Sequence, residues 1–412
     1  QLTHRNLLSN AESIMKFGKL STRDCFISIL PLHHTYSVTT TCVLPLALGG
    51  RISYPQMLSS KDILDCIKKT RVTVLVGVPQ VFFLFHKEIS EKLYALKDWQ
   101  KKTISRVIDV LWNIRQRTGI NLAKLFLSKL HRTFGRSLVF MISGGAKLDP
   151  EVETCFYKWG FTLFQGYGLT ETSPIITLNT PFHHRIGSVG QPVPGVEVMI
   201  MEPDKDGLGE LAVKGPNVMP GYFKDEARTK KAFKDEYFKT GDLAKIDKDG
   251  FIFIEGRKDD MIILTSGENI NPANIEEYYA RSSYVDEICV FSAKEMGFLE
   301  QAEQLAAVIY PKEEYRTKNK LDCLIRDDFS ELGAGLRDFC RIKQIIIAKE
   351  PLSKTSLGKT IRGQVKEQYC GKGVCERRTN TCVELSISDK ELMAMPVCKE
   401  VQIGRASCRE RV

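Results

Sequence analysis

Apolar and polar positions change their rhythm twice along the chain, and each rhythm predicts a different architecture. In the first stretch, short β-branched runs alternate with helical periods. Val72 to Val76 reads as a strand, followed by Pro79 where a first-turn helical proline is tolerated. Ser137 to Ile142 repeats the pattern, then comes the loop Ser143-Gly144-Gly145-Ala146 and a helix start at Asp149-Pro150-Glu151. Asp149 suits the N-cap, Pro150 the first helical position, and Gly160 the position past the last turn. Phe161 to Gln165 is predicted as the next strand, ending in another glycine loop. Strand, helix and strand at this spacing imply parallel α/β layering.

From Ile186 the pattern shortens to strands of two-residue period. Glu197–Met201 and Glu210–Lys214 flank Asp204-Lys205-Asp206-Gly207, and Leu243–Ile246 and Phe251–Ile254 flank Asp247-Lys248-Asp249-Gly250. Each is a hairpin signal. Neither Asp run, counted from Asp204 or Asp247 as its first residue, has a carboxylate as its twelfth, where a calcium loop needs one, since Gly215 and Lys258 stand there. A third texture follows Gly256: a helix from Asn271-Pro272 and strands over Val285–Phe291, Leu305–Ile309 and Arg341–Ala348, which together predict a small α+β domain. The expected fold class is thus α/β: a large multi-layer domain of parallel sheets and helices with a β-rich subdomain, then a small mobile α+β domain. The expected divisions are 1–256, 257–370 and a tail over 371–412, in which 403–412 (IGRASCRERV) reads as a non-native, adapter-derived scar.

Charge changes this picture at one place. The 412 residues carry a net charge of +9, mild for the length, but Lys87 to Arg136 holds twelve Lys/Arg against four Asp/Glu. Within it Ile104, Val107, Ile108, Leu111 and Trp112 share one helical face, with Lys101, Lys102 and Arg106 off it. Two readings stay open: a solvated face, or peripheral contact with an anionic membrane surface or an acidic partner. No nucleic-acid-binding module accompanies the charge, so no nucleic acid is expected as partner. Ordinary proportions of hydrophobic (43%) and charged (26%) residues exclude disordered and disulfide-scaffold classes. Cys25, Cys42, Cys66, Cys155, Cys289, Cys323 and Cys340 sit singly in apolar segments, as reduced core cysteines do in a cytosolic protein. Cys370, Cys375 and Cys382 lack the paired spacing of a zinc site. No run is long enough to cross a membrane as a helix. The expected location is the cytoplasm, with the inner face of the membrane as the peripheral site.

Candidate chemistry concentrates in Gln165-Gly166-Tyr167-Gly168-Leu169-Thr170-Glu171-Thr172. Two glycines let the backbone approach a bulky ligand, Thr170 adds a hydroxyl donor, and Glu171 offers a hard oxygen ligand for a cation such as Mg²⁺. This loop, Thr240-Gly241-Asp242, Gly256-Arg257-Lys258-Asp259-Asp260 and Lys354-Thr355-Ser356-Leu357-Gly358-Lys359 occur in the order found in adenylate-forming (AMP-binding) acyl-CoA synthetases. Ser143-Gly144-Gly145-Ala146 and Leu30-Pro31-Leu32-His33-His34 also match, so the chain resembles that superfamily from Gln1 to about Tyr369.

The resemblance implies ATP, Mg²⁺ and CoA as cofactors, and a two-step reaction: a carboxylate and ATP give an acyl-adenylate and pyrophosphate, and a thiol then takes the acyl group. It places Gly144, Gly145, Ala146, Gln165, Gly166, Tyr167 and Gly168 around the adenine. Thr170 then meets the α-phosphate, Glu171 holds the metal, and Asp242 and Arg257 hold the ribose. Lys359 is the expected catalytic lysine, stabilising charge at the α-phosphate. Asp259 matches the hinge between half-reactions, Gly267 and Glu268 the loop near the CoA thiol channel, and His34 the acyl pocket. The family's Ser/Thr/Gly-rich phosphate loop precedes the segment resembling Leu2 to Leu7, so the chain reads as an N-terminally truncated fragment, expected to be inactive by itself. The basic helical insertion and the Gly166–Pro174 motif look most like bacterial long-chain fatty acyl-CoA ligases. The alternatives are a ligase loading an acyl carrier protein, an aryl or medium-chain acid CoA ligase, and a binding protein that kept the pocket.

Overall fold

The computed structural model describes residues 1–17, 20–95, 97–181, 183–264, 269–297, 304–316, 318, 320–355 and 360–370. Helix α1 (His4–Phe17) opens on a reciprocal cap: the Thr3 hydroxyl accepts from the Asn6 N–H, and the Asn6 amide oxygen accepts from the Thr3 N–H. A seven-stranded sheet follows, built from β1 (Cys25–Ile27), β2 (Arg51–Ser53), β3 (Val74–Gly77), β4 (Phe140–Ser143), β5 (Leu163–Gly168), β6 (Ile175–Leu178) and β7 (Gln191–Pro192), in the order β2-β1-β3-β4-β5-β6-β7. From β2 through β5 the pairings are parallel, and β6 and β7 add antiparallel to that edge. Between them the chain forms α2 (Thr35–Val38), a π-turn into α3 (Leu44–Leu48), α4 (Ser60–Thr70), α5 (Pro79–Tyr94), α6 (Asp98–Thr118), α7 (Ala123–Phe126), α8 (Ser128–Phe134) and α9 (Pro150–Lys158).

Both faces of the sheet are covered, as parallel strands require. On one face Ile27, Leu75, Met141 and Leu163 pack under Ile67, Phe82, Phe85, Ile108, Phe134 and Phe156 from the helices between α4 and α9. On the other, Phe26, Val74 and Val76 meet Ala11 and Ile14 of α1 and Leu44 of α3. A second sheet holds β8 (Glu197–Met201), β9 (Gly209–Lys214), β10 (Phe233–Lys234), β11 (Tyr237–Ile246) and β12 (Ile252–Arg257), with α10 (Glu226–Ala232) beside it. Both predicted hairpins are present, and their Asp side chains serve the turns. Asp204 accepts from the N–H groups of Asp206 and Leu208, and Asp247 from those of Asp249 and Phe251.

Past a short pair, β13 (Ile262–Ile263) and β14 (Asn269–Ile270), the C-terminal part contains α11 (Pro272–Tyr279), β15 (Val285–Ser292), β16 (Leu305–Pro311), α12 (Leu321–Gly333), β17 (Ile342–Ile347) and α13 (Arg362–Cys370). Its three-stranded sheet runs β15-β16-β17, with separate apolar clusters on its two faces. The expected α/β class, with a large N-terminal part and a small α+β one, is the observed fold. Among the described residues no helix is long and apolar enough to cross a membrane.

Four expectations need correction. The glycine motif after Gln165 is strand rather than loop, because β5 runs through Gly168 and pairs with β6. Strands β3 and β4 begin two and three residues later than the apolar runs that announced them. Val107, placed on the buried face of α6, is 37% exposed, at the margin of the stripe that buries Ile108 and Leu111. Among the described residues, Cys25, Cys42, Cys66, Cys155, Cys289, Cys323 and Cys340 are free thiols, but of these only Cys25 and Cys289 are fully buried, and Cys323 is exposed on α12. Apolar neighbours in sequence did not put Cys323 in the core, because the 3.6-residue period of α12 turns inward the face that carries Leu321, Ile325 and Phe329 and leaves Cys323 off it.

Candidate active site

Three segments converge at the C-terminal ends of the parallel strands, where open α/β sheets bind their ligands. The first is the turn after β4. Gly144 donates its N–H to the Gly77 carbonyl, and that carbonyl also accepts from the Tyr36 hydroxyl at 3.2 Å. A Cβ at Gly144 would lie 2.8 Å from the Tyr36 ring, so only glycine lets the turn close over this phenol. Burial pushes the Tyr36 hydroxyl far above its ordinary pKa and keeps it a neutral donor.

The second segment is the end of β5 and the 3₁₀ turn Thr170–Thr172. A Cβ at Gly168 would fall 1.8 Å from the Pro174 carbonyl oxygen, a contact no other residue type can make. Here glycine serves the close approach of β6 as well as that of any ligand. Leu169 divides two cavities. One, of about 220 Å³, is lined by His34, Tyr36, Gly144, Gly145, Tyr167 and Thr170 among others. The other, of about 500 Å³, is lined by residues including Glu171, Tyr222, Arg228, Arg257, Lys258 and Asp259. Thr170 and Glu171, adjacent in sequence, thus face different cavities.

The third segment is the β11–β12 hairpin. A bulge between Leu243 and Ala244 shifts the register by one residue, so that Asp242 stands opposite Arg257 instead of Gly256. Asp242 is 5% exposed; its Oδ1 accepts from Arg257 at 3.1 Å and its Oδ2 accepts from the Tyr167 hydroxyl. Burial, and then the facing Asp242 carboxylate, push the Tyr167 phenol well up. Burial alone would pull the Arg257 guanidinium down, but Asp242 outweighs it and the net shift is upward. The three groups form a neutral phenol, a carboxylate and a guanidinium locked together at the wall between both cavities.

The structure therefore brings together His34, Gly144, Gly145, Gly166, Tyr167, Gly168, Thr170, Glu171, Asp242, Arg257 and Asp259. It sets two others apart. Ala146 is exposed beside the first cavity and does not line it. Gln165 is buried, and its amide is engaged by the Leu148 N–H at 3.1 Å and by Glu153 at 3.0 Å. Lys359, Gly267 and Glu268 lie outside the described residues, as does the tail 371–412. Sequence reasoning missed Tyr36 and Tyr222. Tyr222 donates to Glu171 at 3.1 Å, and its phenol is pushed up by burial first and by that carboxylate second. Tyr222 follows Pro220-Gly221, a turn signal with nothing in it to announce a carboxylate partner.

The donor set suits a nucleotide and its cation. Glycines at the cavity wall leave room for a flat base, a fixed carboxylate beside Arg257 suits a pair of sugar hydroxyls, and the Glu171 oxygens are hard ligands of the type Mg²⁺ prefers. Residues 1–223 match the family of AMP-binding enzymes, and residues 259–372 match the AMP-binding enzyme C-terminal domain. The chain belongs to that family. It is 29% identical over 388 residues to a long-chain-fatty-acid–CoA ligase of Salmonella typhimurium, covering 90% of this chain and 59% of the relative. A chloroplastic long-chain-fatty-acid–[acyl-carrier-protein] ligase of Arabidopsis thaliana, AEE15, is 29% identical over 367 residues, covering 76% of this chain and 49% of that protein. The ATP-bound structure of MatB from Rhodopseudomonas palustris superposes with a TM-score of 0.67 at 26% identity, covering 90% of this chain and 65% of that one. The chain thus spans a little under 60% of the length of the Salmonella relative.

Proposed function

We propose that this chain is part of an ATP-dependent long-chain fatty acid–CoA ligase. The observation that carries the reading is the locked set Tyr167, Asp242 and Arg257 beside the glycine-walled cavity, which offers one polar anchor for a ribose next to a slot for a base. ATP would supply an electrophilic phosphorus. A fatty carboxylate forms a bond to the α-phosphorus, the bond to pyrophosphate breaks, and the CoA thiol then displaces AMP from the acyl carbon. The residues here bind and orient. Gly144, Gly145, Gly166 and Gly168 give the backbone access to the adenine, and Asp242 accepts from ribose hydroxyls while Arg257 holds it in place. Thr170 donates to the α-phosphate, Glu171 provides metal-ligand oxygens, and Lys359 stabilises the charge that gathers there. Ala146 and Gln165 then belong to the supporting frame of the adenine site, Gln165 by fixing the backbone of Leu148.

His34, in the first cavity's lining, is the candidate for the acyl side, and Gly267 and Glu268 for the CoA channel. We divide the chain at 256/257, with Asp259 as hinge and the tail from 371, and place the protein in the cytoplasm at the inner face of the membrane. The names of the Salmonella and Arabidopsis relatives support a long-chain acid. The Arabidopsis relative also keeps a carrier-protein acceptor as the second reading.

Palmitate-dependent ATP–pyrophosphate exchange tests this, run with Mg²⁺ on the protein extended to the length of its relatives, followed by addition of CoA. Exchange followed by CoA consumption is the expected result. Exchange that proceeds without CoA consumption, but with acylation of a carrier protein, selects the second reading. Exchange with aryl or shorter acids and none with palmitate overturns the long-chain substrate.

A further inference from the structure

From Val110 to Leu148 the chain contains seven Lys/Arg and not one carboxylate. This stretch includes the corner where α6 turns through α7 into α8, and the corner carries bulky apolar side chains in the open. Ile120 is 55% exposed, Leu125 72% and Phe126 66%. The exposure is held in place by the fold. Asn121 donates to the Gly160 carbonyl at 2.7 Å, and Arg115 donates to those of Tyr157 and Phe161 at 2.8 and 3.1 Å. His131 bonds the Trp159 carbonyl at 2.9 Å, and Ala123 is buried against the same turn. The corner is thus bolted at four points to the last turn of α9 and the turn after it, and Ile120, Leu125 and Phe126 stay exposed. Arg117, Lys124 and Lys129 surround the apolar tip, and none has an ion-pair partner among the described residues. In contrast, Asp98 and Asp109, the nearest preceding carboxylates, pair with Lys101 and Lys158.

We propose that the α6–α8 corner is the docking surface for an anionic lipid bilayer, with Leu125 and Phe126 entering the acyl boundary and Arg117, Lys124 and Lys129 meeting lipid phosphates. Charge complementarity selects this occupant. A stretch with unpaired cations and no carboxylate of its own repels a second copy of itself, whereas an anionic leaflet satisfies every cation at once. A bilayer also accepts projecting apolar tips without a pocket shaped for them, which an acidic protein partner would have to supply. The inference rests on the proposed fatty-acid reading only for its purpose, which is to bring the active site to the phase that holds the substrate.

Sedimentation of the full chain with extruded vesicles tests it, comparing phosphatidylcholine alone with phosphatidylcholine containing phosphatidylglycerol. Binding is expected only to the anionic vesicles and is expected to weaken with salt. Each cation removed should cost about fivefold in partitioning, so Lys124→Gln with Lys129→Gln costs about 25-fold. Leu125→Ser with Phe126→Ser should abolish binding with the charge unchanged. Lys205→Gln with Lys248→Gln, an exposed pair in the hairpin turns, is the charge-matched control and should leave binding intact. Equal binding to neutral vesicles, or indifference to both corner variants, overturns the proposal. So does concentration-dependent self-association that the Leu125/Phe126 variant breaks, which would give the corner to a second copy. Capture by polyglutamate but not by anionic vesicles would give it to an acidic protein. Vesicle binding by this chain, together with no palmitate-dependent exchange in the protein extended to the length of its relatives, would sink the long-chain reading and leave the docking surface standing.

Discussion

Asp242 shows how much one side chain can be asked to do. Its two oxygens engage Arg257 and Tyr167, so a substitution removes a charge and releases both neighbours. Hydrogen bonds to charged groups are worth roughly 1.5–3 kcal/mol, so Asp242→Asn should raise the KM for ATP by about 10- to 100-fold in the extended protein. An ATP titration of the exchange rate checks this; an unchanged KM would take the ribose role from Asp242. The thiols give a second residue-scale expectation. Burial pushes the Cys289 thiol up to about 12, against the opposing pull of Arg362, while Cys323 stands exposed. A disulfide reagent at neutral pH should therefore label Cys323 in the native protein and reach Cys289 only on unfolding. Because the folded-state pKa is the raised one, the unfolded chain gives up this proton first as the pH climbs. The thiol's contribution to stability is whole below about pH 8.5, the unfolded thiol's own pKa, and declines as the pH rises above it towards the folded value. Urea midpoints of the wild type and Cys289→Ala should accordingly converge at high pH.

Among the elements, β5 separates two uses of glycine. At Gly168 an added methyl collides with the Pro174 backbone across the β5–β6 ladder, and neither partner has room to move. At Gly207, a hairpin-turn glycine with φ +76°, an added methyl meets nothing within 4 Å. Gly207→Ala should cost only left-handed strain, about 1–2 kcal/mol. Gly168→Ala should cost more than about 3 kcal/mol or prevent folding. Comparing the two urea midpoints decides it, and equal shifts would mean that β6 yields at little cost. At the same scale the hairpins and the α9 caps were legible in the chain. Asp-Gly turns and an Asp-Pro start are local chemistry, and Asp149 does accept from the Glu151 N–H at 2.7 Å. The identity of Gln165 to Gly168 as strand was not legible, because its partner β6 is recruited by a reversal seven residues later that no periodicity records.

At the scale of the whole molecule, the proposed hinge lies beside an ion-pair cluster of the C-terminal part. Arg362 of α13 is bound to Glu276 of α11 at 2.7 Å and lies 3.9 Å from Asp260, one residue beyond Asp259. Asp259 is exposed in the turn following β12. Proline fixes φ near about −65°, so Asp259→Pro should slow one half-reaction and spare the other. Stopped-flow measurement of adenylation and of thiol transfer separates them, and unchanged kinetics for both would remove the hinge. Lys359→Ala is expected to abolish adenylation while sparing transfer from preformed acyl-adenylate; equal loss of both would take the charge-stabilising role from the lysine.

What the amino-acid order determined by itself is what depends on neighbours in the chain: the alternation of strands and helices, the caps, the hairpin turns, and the set of motifs that places the chain among AMP-binding enzymes. What only the tertiary structure decided depends on approach between distant segments. Tyr36 sits beneath Gly144, more than a hundred positions away, and Tyr222 closes on Glu171. A one-residue bulge at Glu255 of β12 turns Asp242 onto Arg257. Propensity and pattern act over a few residues, whereas the position of a polar group in a site is set by which elements the hydrophobic cores force into contact. No local rule carries that information.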